Sequence, residues 1–117
     1  MVTINAQITR TMFGIEDHGI LTFYLYLKGD GWGQGYGGYS LDGYDESTKE
    51  RSIGFGGGLI AMKKIMEVVG VRTWEELPGK YVRIQRQNEH ANEIVRLGHV
   101  VQDRWVSLRE EFSKLSI

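Results

Sequence analysis

The sequence of 117 residues contains no cysteine, only one proline and no long apolar run. Without cysteine the chain has no disulfide, thiolate metal site or cysteine nucleophile, as is typical of proteins in a reducing cytosol. No segment approaches the roughly 20 consecutive apolar residues of a membrane-spanning helix. The N-terminal segment MVTINAQITR lacks the basic and apolar regions of a signal peptide. These absences predict a soluble cytosolic protein with no membrane partner.

Strong net charge and familiar catalytic motifs are absent as well. The formal net charge is −1, so the molecule lacks the positive field that attracts nucleic acid, and nucleic-acid binding is not expected. No Walker lysine pattern, paired-histidine helix or serine elbow occurs. Gly33, Gly35 and Gly38 match G-x-G-x-x-G, but that fingerprint requires a helix directly after it, and here a strand or turn follows. The sequence therefore predicts no catalytic residues, no metal site and no cofactor.

Two N-terminal segments alternate apolar and polar residues with the period of a half-buried strand. They are residues 2–9 and 21–27, and the dipeptide Asp30-Gly31 after the second predicts a tight hairpin turn. A third strand is expected in GQGYGGYSLD, where glycine is unusually frequent. Glycines inside a strand indicate a sharp bend or a close approach of another group to the backbone. Both explanations stay open at this point.

The rest of the chain predicts a loop, two helices and three more strands. Residues 43–54 are polar without periodicity and are expected to form an exposed variable loop. A helix follows the glycines at 56–58, with Gly70 as its C-terminal cap. The predicted buried face of this helix consists of Leu59, Met62, Met66 and Val69. A short C-terminal helix is also expected, and its predicted docking residues are Leu108, Phe112 and Leu115. Strands are expected at 81–85, 94–97 and 100–106, the last two hinged near Gly98.

This order of elements predicts an α+β fold in a single domain, residues 1–117. We expect a small, strongly bent antiparallel sheet or partly open β-barrel of about six strands. One main helix and a short C-terminal helix decorate it. Arg104 and Trp105 are adjacent on the last strand and therefore point to opposite faces. The size of Trp105 predicts that it is the core residue of the two.

Arginines and aromatic residues supply the candidate ligand-binding site. Guanidinium groups suit phosphate oxygens, and aromatic faces suit nucleobases. The predicted binding residues are Arg10, Thr11, Phe13, Tyr36, Arg83 and Arg104. In this hypothesis Arg104, helped by Arg10 or Arg83, binds phosphates while Phe13 or Tyr36 stacks on a base. An ordinary solvated sheet face with large core residues is the alternative explanation.

The words TRTMFGIEDHGILTFYLYL, GQGYGGYSLD, GKYVRI and RLGHVVQDRW resemble a family of small phage- and prophage-encoded proteins. The resemblance spans most of the chain and leaves out the variable loop from Gly43 to Ile53. These proteins are similar in turn to the anti-Thoeris proteins that sequester the cyclic ADP-ribose signal of bacterial TIR immune enzymes. The resemblance implies a decorated β fold in the host cytoplasm that binds a cyclic nucleotide signal without cleaving it, as a homo-oligomer built from dimers.

Two other function classes stay open. The protein would inhibit a host defence complex by direct contact, or it would be a small enzyme that acts on nucleotides. The cluster Glu16-Asp17-His18 on the first predicted turn leaves acid-base chemistry conceivable. A charged turn in which a carboxylate holds the imidazole is the more common role of such a cluster. The resemblance favours sequestration over both alternatives.

Overall fold

The computed structural model describes residues 1–114 and confirms the α+β prediction. A six-stranded antiparallel sheet has the order β3-β2-β1-β6-β7-β8, and a separate hairpin pairs β4 with β5. The strands are β1 Val2–Ile15, β2 Leu21–Gly29, β3 Trp32–Gly37, β4 Asp42–Asp45, β5 Glu50–Gly54, β6 Tyr81–Arg86, β7 Arg96–His99 and β8 Trp105–Val106. The helices are α1 Gly56–Val69 and α2 Leu108–Ser113, with a 3-10 turn at Trp74–Glu76. The sheet is not closed into a barrel.

The sheet has one buried inner face and one outer face that no helix covers. Phe23, Leu25 and Leu27 of β2 are almost fully buried, whereas the intervening Tyr24 and Tyr26 are only partly buried. Apolar side chains of β1, β6 and β7 join the same inner core, against which α1 and α2 pack. The period-two alternation of the sequence therefore separates a core face from a solvent face, as expected for an antiparallel sheet.

Contacts across the inner face show that the sheet is strongly bent. β3 and β6 are separated by two strands in the sheet order. Nevertheless, the Arg86 guanidinium of β6 lies 4.6 Å from the centre of the Trp32 ring of β3. Arg86 also donates a 2.7 Å hydrogen bond to Gln34, whose amide donates to the Asn92 carbonyl at 2.7 Å. Only a sheet that curls around the helices brings these strands together.

A β-bulge near Thr9 reverses the facing of β1. Ile8 pairs with Leu27, but Arg10 rather than Thr9 pairs with Tyr26. The extra residue moves every later side chain to the opposite face. Arg10 consequently lies on the outer face with Tyr26, whereas Thr11 and Phe13 share the inner side with Leu25 and Phe23.

Capping groups define the ends of the helices, and the predicted cap at Gly70 is present. Gly70 ends α1 with a left-handed backbone at φ +92°. The Glu76 carboxylate accepts hydrogen bonds from the Thr73 N–H and hydroxyl, and the Ser107 hydroxyl accepts from the Glu110 N–H. Leu108 and Phe112 are buried as expected. Leu115, the third predicted docking residue, lies outside the described residues.

Three sequence expectations are corrected. The segment 43–54 is largely exposed, but it belongs to the β4–β5 hairpin instead of an irregular loop. Leu59 is 58% exposed, because α1 buries Gly58, Ala61, Met62, Ile65 and Val68. Gly98 lies inside β7, paired with Trp105, and the residues between His99 and Trp105 form a turn. Within residues 1–114, no helix is long and apolar enough to cross a membrane.

Candidate functional site

A groove on the outer face combines an arginine, an aromatic platform and bare backbone. Cross-strand pairing places Arg10 beside Tyr26, Tyr26 beside Gly35, and Lys28 beside Gly33. Side chains that oppose each other across antiparallel strands share one face. These residues line a groove of about 790 Å³, which we call the Arg10–Tyr26 groove. Its volume lies within the range of about 300–1,000 Å³ that is typical of small-molecule sites.

Arg10 is held by stacking while its hydrogen-bond donors stay free. Its guanidinium carbon lies 3.8 Å from the centre of the Tyr26 ring, and the Tyr24 and Tyr26 rings stack with centroids 5.9 Å apart. Stacking uses the face of the guanidinium and leaves the N–H groups in its plane available. Among residues 1–114, Arg10 makes no side-chain hydrogen bond or ion pair. This arrangement presents a planar donor fork next to an aromatic surface.

The floor of the groove is glycine backbone. Along β3, Trp32, Gln34 and Tyr36 are on the inner face of the sheet. The alternating residues Gly33, Gly35 and Gly37 are on the outer face. A Cβ atom at Gly33 would meet only the Leu27 carbonyl oxygen, at 3.7 Å. The outward glycines therefore leave a strip on which a flat group can approach the main chain.

β3 also presents unpaired backbone donors at the sheet edge. The Gly38 N–H donates a hydrogen bond to the Phe23 carbonyl, so the main-chain N–H and C=O groups of the even-numbered β3 residues point toward β2. Because main-chain groups alternate in direction along a strand, the N–H groups of Gly33 and Gly35 point away from β2. Within the described part of the chain, no backbone partner lies on that side of them. Free N–H groups of this kind can donate hydrogen bonds to phosphate oxygens.

The electrostatics of the groove favour an anion. Arg10 and Lys28 both line it, and no carboxylate does. Asp30 lies at the tip of the β2–β3 hairpin and is not among the lining residues. The groove is thus locally basic although the whole chain has a net charge of −1.

A second basic and aromatic cluster occupies the other end of the outer face. The guanidinium carbons of Arg83 and Arg96 lie 4.8 and 4.3 Å from the centre of the Trp105 ring. Arg83 donates hydrogen bonds to the carbonyls of His99 and Gln102, at 2.7 and 2.9 Å. Trp105 is therefore not the core residue that its size predicts, and its neighbour Val106 is buried instead. The carbonyls already occupy donors of Arg83, so this cluster is less available to a ligand than Arg10.

The structure separates the six predicted binding residues. Arg10 lines the groove, whereas Arg83 belongs to the Trp105 cluster. Arg104 is exposed and lies beside Gly70 at the end of α1. Thr11 and Phe13 lie on the opposite side of β1 from Arg10, because neighbouring side chains of a strand alternate between its two faces. The predicted combination of Arg104 with Arg10 or Arg83 and an aromatic ring at Phe13 or Tyr36 is therefore not assembled within this chain.

Tyr36 is a core residue and offers no accessible ring for a base. It is 7% exposed, and its hydroxyl accepts a 2.9 Å hydrogen bond from the Leu108 N–H at the start of α2. Burial raises the pKa of the Tyr36 hydroxyl well above its usual value. Tyr24 and Tyr26 supply a partly exposed aromatic surface instead, and neither is among the six predicted binding residues. Their alternation with the buried Phe23, Leu25 and Leu27 was the available signal.

Tyr36→Phe is expected to lower the free energy of unfolding by about 1–3 kcal/mol, because the buried Leu108 N–H loses its acceptor. Urea unfolding followed by circular dichroism measures this loss. Tyr26→Phe is the matched control, since the Tyr26 hydroxyl has no hydrogen-bond partner among residues 1–114. Equal stability of the two variants would contradict the structural role of the Tyr36 hydroxyl.

Gly38→Ala is expected to destabilise the protein by about 1–3 kcal/mol, because Gly38 has φ +85° and an added Cβ would collide with the Tyr24 hydroxyl. Gly33→Ala is the control, since Gly33 does not have a positive φ and its Cβ would meet only ordinary contacts. Thermal unfolding of the two variants distinguishes a conformational role from mere chain flexibility. A Gly38→Ala protein as stable as Gly33→Ala would contradict it.

The Glu16-Asp17-His18 turn is explained by local hydrogen bonds. The Glu16 carboxylate accepts from the main-chain N–H groups of His18 and Ile20 and contacts His18 Nδ1 at 3.0 Å. The hydrogen bond with His18 lowers the pKa of Glu16, and the same contact raises the pKa of His18. Both residues are at the surface, so the cluster serves as a charged turn. In the described residues, no group of histidine and acidic side chains is placed to hold a metal ion.

No protein-family model, no curated protein and no solved structure matches this chain.

Proposed function

We propose that this protein is a phage anti-defence protein that binds a cyclic nucleotide-type immune signal, a cyclic ADP-ribose isomer, and sequesters it without cleavage in the host cytoplasm. Such a ligand carries two phosphates and a purine in a compact ring. Its recognition requires cationic donors, an aromatic surface and accessible backbone N–H groups. The Arg10–Tyr26 groove contains all three, and the resemblance to phage proteins gives the biological setting.

The observation that carries this proposal is the stacking of Arg10 on Tyr26 beside the glycine strand. In the proposed complex, Arg10 and Lys28 bind phosphate oxygens, the N–H groups of Gly33 or Gly35 add donors at the sheet edge, and the purine lies against the tyrosines. The groove is an open surface of one chain. We propose further that the protein is a homo-oligomer built from dimers, in which a second chain encloses the ligand more fully.

Native mass spectrometry with a panel of cyclic nucleotides and cyclic ADP-ribose isomers tests this function. Sequestration predicts a mass increase for one ligand, and denaturation should return that ligand unchanged. A nucleotide-acting enzyme would instead release an altered product. A protein inhibitor would bind none of the panel and would co-purify with a host protein. Either of these two results would replace the proposal.

A further inference from the structure

The second half of β1 is an open sheet edge although β1 lies in the middle of the strand order. β2 pairs with β1 from Gln7 to Ile15, but β6 pairs only with Val2 to Gln7. Hydrogen bonds from the Ile8 N–H to Lys80 and from the Gly79 N–H to Ile8 extend that contact by one residue. Beyond the bulge, the second edge of β1 has no neighbouring strand in the described residues.

The register identifies the main-chain groups on this edge. The Glu16 N–H donates a hydrogen bond to the Ile20 carbonyl and closes the β1–β2 hairpin. The main-chain N–H and C=O groups of the even-numbered residues 10–16 therefore point toward β2. Thr11, Phe13 and Ile15 therefore direct their N–H and C=O groups away from β2. Within residues 1–114, none of these three has a backbone partner on that side.

The same residues expose apolar side chains. Phe13 is 51% and Ile15 76% exposed. Natural proteins protect open strand edges with charges, proline or a covering element, because such edges pair with other chains. Thr11, Phe13 and Ile15 bring none of these protections. By contrast, the β3 residues whose main-chain groups point away from β2 are glycines, which have no side chain to pack against a partner strand.

We propose that this edge, residues 11–15, pairs antiparallel with the same edge of a second copy of the chain, with the twofold axis at Phe13. In this register Phe13 faces Phe13 of the second copy, and Thr11 faces Ile15. Thr11, Phe13 and Ile15 each exchange two hydrogen bonds with the residue opposite them in the second copy. The three outward residues are symmetric about Phe13, so the twofold pairing satisfies all of them.

The opposite side of the paired strands is also complementary. Met12 faces Gly14 of the second copy, and Arg10 lies opposite Glu16, so no like charges meet across the interface. The Glu16 carboxylate keeps its hydrogen bonds to His18 and Ile20 of its own chain, so the donors of Arg10 stay available to the groove. A like pairing of Arg10 with Arg10 would need a different axis and would repel. The charge pattern therefore favours this register.

The expected dimer is of moderate affinity. A short pairing of this kind buries an area at or below the low end of stable interfaces, about 1,200 Å². We expect a dissociation constant on the order of 10 µM, equivalent to about −7 kcal/mol. This inference rests on the proposed function in one respect, since it gives the interface of the dimer proposed there, and it does not depend on the identity of the ligand.

The absence of cysteine allows a direct test by disulfide cross-linking. Hydrogen-bonded antiparallel residues have Cα atoms about 5.5 Å apart, within the range that a disulfide bridges. Phe13→Cys is expected to form a covalent dimer rapidly under mild oxidation, whereas Leu59→Cys, equally exposed on α1, is not. A mixture of Thr11→Cys and Ile15→Cys should give the mixed dimer, while each of these variants alone should not.

Analytical ultracentrifugation of Phe13→Glu gives an independent readout. Phe13 is half exposed, so the variant should keep the fold, as circular dichroism will verify, and should sediment as a monomer. Wild-type protein should be a dimer on the order of 100 µM, about tenfold above the expected dissociation constant. The proposal is overturned if wild type is a monomer there, if Phe13→Glu remains a dimer, or if Phe13→Cys cross-links no faster than Leu59→Cys. Capture of an extended peptide by this edge without self-association would likewise overturn it.

Discussion

Arg10→Ala is expected to weaken nucleotide binding by about ten- to a hundredfold and to leave the fold intact. Loss of one charge-assisted hydrogen bond to a phosphate costs about 1.5–3 kcal/mol, which corresponds to that change in affinity. The side chain is exposed and contacts the Tyr26 ring without a hydrogen bond inside the described residues, so its removal costs little stability. Isothermal titration calorimetry with the ligand found by native mass spectrometry measures the effect.

Arg104→Ala is the matched control for this prediction. Both arginines are exposed, but Arg104 lies beside Gly70 at the end of α1 and outside the groove. We therefore expect wild-type affinity for Arg104→Ala. A loss confined to Arg104→Ala would return the phosphate-binding role to Arg104, as the sequence alone suggested. Equal losses in both variants would indicate a site formed between chains.

The pattern of the sequence predicted the sheet well because each face imposes its own chemistry. Alternation in 2–9 and 21–27 reported which side chains face the core, and the expected Asp30-Gly31 turn is present with Gly31 at φ +75°. The helix cap at Gly70 depends on local residues and was equally predictable. Where structure follows from neighbours in sequence, prediction succeeded.

Strand alternation does not predict the facing of side chains in β1 beyond Ile8, where one extra residue reverses it. Uninterrupted alternation from Ile8 would have placed the Arg10 side chain in the core and the Phe13 side chain on the outer face with Tyr24 and Tyr26. The bulge near Thr9 reverses both, and nothing in the local sequence requires an extra residue there. Its effect depends on the pairing with β2 and β6, which the alternation of a single strand does not reveal.

Trp105 and Tyr36 were misassigned for a related reason. A large aromatic residue is usually placed in the core, but the ring of Trp105 lies against Gly98 on the outer face, where any Cβ would overlap it. Tyr36 is buried instead, because its side chain lies on the inner side of β3 and its hydroxyl reaches the Leu108 N–H at the start of α2. In both cases a partner distant in sequence decides which side chains are exposed.

The outward glycines of β3 lead to the prediction with two effects of opposite sign. Gly33→Val is expected to raise the free energy of unfolding by about 0.5–1 kcal/mol, because valine suits a strand and glycine costs backbone entropy. Gly33 tolerates the change, since it does not have a positive φ and its Cβ would meet nothing closer than 3.7 Å. The same side chain would cover the floor of the Arg10–Tyr26 groove next to Lys28.

A ligand displaced from that floor loses its contact with the main chain and part of its stacking on Tyr26. Stacking of a base on an aromatic side chain is worth about 1–3 kcal/mol, so Gly33→Val should reduce affinity by about ten- to a hundredfold. Gly54→Val on β5 is the control, because a Cβ there would meet nothing within 4 Å and Gly54 is not a lining residue of the groove. It should match Gly33→Val in stability and wild type in calorimetry. Undiminished binding by a stable Gly33→Val protein would show that the glycines do not form a ligand floor, and their role would then be confined to the backbone geometry that Gly38 requires.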